Sequence, residues 1–87
     1  MKRYIKSSSY HRSLVDEVEK PVADAIYHFE NDLGRDYDEE DIVLFVEKRV
    51  LGEEDSYPIS AKLVKDPIDY ALFSDAVIEE LNRQTRS

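Results

Sequence analysis

One stretch of this 87-residue chain sets a histidine between two carboxylates at helical spacing. His28 has Asp24 four residues before it and Asp32 four residues after it. On a helix these three share a face, the arrangement in which i, i+4 groups hold a metal or orient a general base. The same triplet is also ordinary solvated helix surface in a chain with 20 acidic residues, and the composition favours that reading. His11 is the only other histidine. There is no glycine-rich phosphate loop, no Gly-x-Ser-x-Gly and no His-x-x-x-His pair. The absence of cysteine excludes disulfides, thiolate zinc sites and a cysteine nucleophile, and fits an intracellular protein. No activated nucleophile or acid–base pair can be named, so the chain is expected to be non-enzymatic and free of cofactors.

A second metal candidate runs from Asp36 to Glu47. Counted from Asp36, acids stand at positions one, three, five and twelve and an apolar residue at eight, as in the calcium loop of the EF-hand. Position six, where that loop turns sharply on glycine, is Asp41. The same residues also make a good helix start, and one segment cannot both coil round an ion and form a first turn. No metal is expected here.

What remains is the acidic surface. The net charge is −8, and it is unevenly spread: residues 1–12 carry four bases and no acid, whereas residues 16–55 hold fifteen acids against four bases, a local −11. A field of that sign repels nucleic acid and anionic membrane and attracts basic surfaces. Two clusters stand out, Asp36, Asp38, Glu39, Glu40 and Asp41 before an apolar segment and Glu53, Glu54 and Asp55 after it. Capping and solubility account for them in one reading. In the other they imitate a phosphate backbone and bind a basic protein surface, such as the groove of a nucleic-acid-binding enzyme. Tyr27 and Tyr37 would serve as aromatic anchors in such an interface. The basic arm of Lys2, Arg3, Lys6 and Arg12 offers a weaker route to nucleic acid.

The elements that must position these groups are predicted to be mainly α-helical. Leu14, Val18, Val22, Ile26, Phe29 and Leu33 recur every three or four residues and predict one long helix, starting near Tyr10 to Ser13, kinked at Pro21 and ending at Gly34. Asp38 as N-cap, with Tyr37 and Ile42 placed for a hydrophobic staple, predicts a second helix ending at Gly52. Asp66 and Pro67 predict the start of a third, with Tyr70, Phe73, Val77 and Leu81 as its main stripe. Ile59, Ala61 and Leu63 alternate with polar residues as a strand does, and Arg3 to Lys6 would have to pair with it; a single helical turn at Ser60 to Lys65 is the alternative.

The expected organisation is thus a flexible basic arm over 1–9 and one helical domain over 10–87, three helices with a minor two-stranded β element. A further stripe of Ile68, Leu72 and Ala76 exceeds what three helices can cover and predicts a homodimer interface or a partner groove. The longest apolar run, Ile42 to Val46, is far shorter than the ~20 residues a bilayer needs. The basic opening leads into three serines instead of an apolar run, so no secretory signal is expected and the location would be cytoplasmic.

In size, acidity and the opening Met1-Lys2-Arg3-Tyr4-Ile5-Lys6, the chain resembles small accessory proteins encoded by phages and mobile elements of Gram-positive bacteria. Some of those inhibit restriction or CRISPR nucleases by charge mimicry. The resemblance implies an inhibitor that binds a nucleic-acid enzyme, and it carries over no individual residue.

Overall fold

Proline at position 21 decides how the first half of the chain folds. The computed structural model describes residues 2–86, with side chains from residue 9 onward. Pro21 has no N–H for the carbonyl of Glu17, and its ring crowds that carbonyl in a continuous helix. The chain resolves the conflict by interrupting the helix at Val18 (φ −91°, ψ 2°), between α1 (Lys2–Glu17) and α2 (Glu19–Tyr27). Pro21 then falls in the first turn of α2, where a missing N–H costs nothing. The expected single kinked helix is therefore two. The stripe nonetheless keeps phase, because Val18 N–H still reaches the Leu14 carbonyl (3.1 Å) and Val22 N–H the Val18 carbonyl (3.0 Å). Leu14, Val18 and Val22 are all buried.

The helix start expected near Tyr10 to Ser13 is not a boundary, since α1 is helical from Lys2. No strand forms at Arg3 to Lys6. The side chains of Lys2, Arg3 and Lys6, on which the basic arm was read, lie outside those described.

Beyond Tyr27 the chain widens into a π turn, His28–Asp32. The extra residue rotates everything after it by about 100°, so Leu33, expected at the end of the buried stripe, is exposed. Gly34 adopts φ +60°, and the Arg35 N–H closes back on the Phe29 carbonyl (3.0 Å). This is the glycine-ended helix stop expected there.

The second predicted helix is present as α3 (Glu39–Gly52). Asp38 Oδ1 accepts from the Asp41 N–H (3.0 Å) and Asp41 Oδ2 from the Asp38 N–H (3.1 Å), a reciprocal capping box. Ile42, Val43, Val46 and Val50 face the core.

Of the two readings of residues 59–65 the helical one holds and the strand does not: the segment is a helix, α4 (Pro58–Lys65), reached through one 3-10 turn, Glu54–Ser56. Alternation misled because Ser60, counted as an outward residue, is buried with Ala61 and Leu63. The helix has no local side-chain cap. Its cap arrives from a distance: the Glu17 carboxylate accepts the N–H groups of Ile59 (3.3 Å) and Ser60 (2.6 Å).

Asp66 caps a turn at 67–69, with its Oδ1 accepting from the Ile68 N–H at 2.9 Å, and α5 (Tyr70–Arg86) follows. Phe73, Ala76, Val77 and Leu81 of α5 complete the core with α1, α2, α3 and α4. The described chain is mainly helical, 83%, without a strand; the three-helix count and the minor β element are both superseded.

Replacing Glu17 by alanine leaves two buried-side N–H groups unsatisfied and is expected to cost about 1–2 kcal/mol. Glu19→Ala, which removes only a surface pair, is expected to cost under about 0.5 kcal/mol. Urea unfolding of both variants checks this, and equal losses would refute the distant cap.

Candidate functional site

The structure takes the His28 triplet apart. Asp24 turns to α3 and binds Arg49, 2.7 Å from Oδ2 to the guanidinium. That bond is the main reason the Arg49 pKa rises above its ordinary value. His28 Nδ1 lies 3.3 Å from Asp32 Oδ2, and its ring packs on Phe29 and Phe45 with centroids 5.3 Å from each. Arg49 also covers the Phe45 ring at 5.6 Å. Asp24 and His28 thus serve the contact with α3, and Asp32 stays with His28 at the surface. Among the described residues no group of three or more His, Asp or Glu side chains is placed to hold a metal.

The calcium-loop candidate is likewise absorbed by the fold. Asp38 and Asp41 spend a carboxylate oxygen each on the capping box. Glu47 is half-buried in mid-helix, where it accepts the Tyr70 hydroxyl proton at 2.7 Å. Burial first, then this bond and the charges of Glu47 and Glu40, push the Tyr70 pKa up to about 12.

The eight acids singled out from sequence fall at the two ends of α3, as expected. Fourteen residues of helix hold the ends ~21 Å apart. All are exposed except Asp41, which is intermediate. Their partners differ. Arg49 approaches Glu53 at 3.9 Å, Lys65 binds Glu54 at 2.5 Å, and Arg35 stands 4.0 Å from Asp41. Asp36, Glu39, Glu40 and Asp55 have no cation within pairing distance among the described residues.

Of the interface stripe read from α5, Ile68 is 86% and Leu72 46% exposed, but Ala76 is fully buried. The helix turns Ala76 inward with Phe73 and Val77, so it belongs to the core and not to an outer face. Leu44 and Leu51, on the outer side of α3, are also exposed.

Sequence reasoning missed Glu80, a fully buried carboxylate. It receives Arg83 Nε (2.9 Å), an Arg83 terminal nitrogen (2.6 Å) and Gln84 Nε2 (2.7 Å). Gln84 Nε2 also donates to the Glu19 carbonyl (2.9 Å), fastening α5 beside the α1–α2 break. The signal was present: Glu80 falls four residues after Ala76 and seven after Phe73, on the apolar face, with two donors at i+3 and i+4. Between α1 and α5, His11 Nε2 meets Glu79 Oε1 at 2.7 Å.

No protein-family model matches this chain, nor does any curated protein or solved structure.

Tyr70 supplies a pH signature. In the folded chain it keeps its proton to about pH 12, whereas an unfolded tyrosine loses it near 10. Its contribution to stability is therefore complete below pH 10 and is lost as pH rises from there through about 12. A tyrosinate absorbance titration should show a late-ionising tyrosine that disappears in Tyr70→Phe, together with part of the alkaline loss of stability.

Proposed function

We propose that this chain is a non-enzymatic binding module whose α3, with acids at both ends, engages a basic protein surface. The observation that carries the reading is the rigidity of that display. The capping box fixes one end of α3, Arg49–Asp24 and Glu47–Tyr70 pin its length to α2 and α5, and Asp36, Glu39, Glu40 and Asp55 have neither a cation nor a side-chain hydrogen bond among the described residues. A span of ~21 Å corresponds to about six phosphates along one DNA strand. A groove that binds nucleic acid, in a restriction or CRISPR nuclease, is the kind of basic surface on which such carboxylates replace phosphates. An accessory protein of a phage or mobile element, acting in the cytoplasm as an inhibitor, is the corresponding biological role.

A second reading has one observation in its favour. Ile68, in the turn before α5, and Leu72, in its first turn, lie exposed, where they would support assembly by helix packing, as in a homodimer.

The two readings separate by experiment. The quadruple variant Asp36→Asn, Glu39→Gln, Glu40→Gln, Asp55→Asn is expected to weaken capture of the partner from host extract by at least about tenfold. Raising salt should release the partner from the unaltered chain, and helical circular dichroism should be unchanged in the variant. Leu72→Glu should leave capture intact. The opposite pattern, with loss of a dimer in sedimentation, would replace the charge reading by assembly.

A further inference from the structure

A trough follows α2 where the last turns of α5 cross it. It consists of three shallow depressions of about 370, 410 and 390 Å³. Ala23 and Gln84 line both the first and the second, and Glu30 and Thr85 both the second and the third, so the three adjoin one another in a row. The nine residues of α2 and five of the π turn give it a length of ~20 Å. About six residues of extended chain cover that distance.

The chemistry of the walls selects what can lie there. Five carboxylates line the trough against two cations, Lys20 and Arg35. Two of the five are engaged within the fold, Glu17 on the α4 N–H groups and Glu19 near Arg83 at 3.5 Å. The others are spread along its length. Asp16 stands exposed at one end and Asp36 at the other, neither with a cation in pairing distance among the described residues, and Glu30 between them accepts only the Tyr37 hydroxyl (3.2 Å). Tyr27, 62% exposed, lines the middle section. The negative end of the α5 dipole lies beside Gln84 and Thr85.

From this geometry we infer that the trough seats an extended, arginine-bearing segment of a protein partner. The inference rests on the proposed preference for basic partners and goes beyond it by adding a second surface, distinct from the ends of α3 except at Asp36. A compact small molecule would be poorly covered by so open a site. A guanidinium suits it on two counts: it forks onto carboxylates and stacks on the Tyr27 ring. The guanidinium fits best in the middle section, which Glu30 and Tyr27 line and no cation does.

Titration of the full chain with a nona-arginine peptide, followed by amide resonances, tests this. Saturable, salt-sensitive shifts are expected at Ala23, Tyr27, Glu30 and Thr85. Ala23 is exposed on α2, so Ala23→Phe fills the trough without altering charge, and it should weaken binding by at least about tenfold. Tyr27→Ser, which changes only an exposed side chain, should weaken it by about fivefold. Shifts confined to residues 36–41 and 53–55, indifferent to both substitutions, would overturn the trough and leave the α3 reading standing. No shift anywhere at millimolar peptide would overturn both. Concentration-dependent shifts at Ala23 and Tyr27 without peptide would assign the trough to a second copy of the chain and so overturn a basic occupant.

Discussion

A single missing hydrogen-bond donor, the N–H that Pro21 lacks, shapes most of this molecule. Because the helix breaks at Val18, α1 ends at Glu17, and the Glu17 carboxylate is available to a segment 42 residues further on. That carboxylate gives α4 the acceptors its own N-terminus lacks, since Tyr57 offers no side-chain cap. With α4 helical, Tyr57, Ala61 and Leu63 close the core against α3 and α5. Gln84 then fastens the end of α5 to the carbonyl of Glu19, next to the break. A restriction on one residue is thereby turned into contacts among α1, α2, α4 and α5.

What the sequence shows well is what local chemistry dictates. Asp38 and Gly34 are legible because a cap and a left-handed glycine depend on neighbours within a few residues. The stripe Leu14, Val18, Val22, Phe29 is legible because burial imposes the helical period whether or not the helix is continuous. What escapes is non-local. Nothing near Ile59 announces that its N–H will be met by Glu17, and without that bond β-like alternation is a fair reading of Ile59 to Leu63. Spacing alone puts Ala76 on the outer stripe with Ile68 and Leu72. The crossing of α5 over α1 and α2 decides which of its two apolar faces is inner, and spacing carries no record of that crossing.

The acids illustrate the same division. In sequence all eight residues at the ends of α3 are equivalent negative charges. In the fold, Asp38 and Asp41 hold the helix start together, and Glu53 and Glu54 face Arg49 and Lys65. Exposed pairs of this kind add little stability and are easily exchanged for contacts with another molecule, so their carboxylates remain recruitable. Among the described residues, Asp36, Glu39, Glu40 and Asp55 make no such internal contact. The share of the charge that performs structural work and the share left over are separated by geometry that composition cannot express.

The π turn at His28–Asp32 bears on how tolerant this architecture is. Its i→i+5 bond, Leu33 N–H to the His28 carbonyl at 2.9 Å, accommodates one residue more than an α-turn would. Shortening the segment by one residue would restore the regular winding and swing Leu33 inward, but it would also re-aim the connection that delivers Tyr37 and Asp38 to the start of α3. The relative placement of α2 and α3 thus hangs on a one-residue length register. Substitutions at its exposed positions, Glu30, Asn31 and Asp32, are far easier to accommodate than any change in its length.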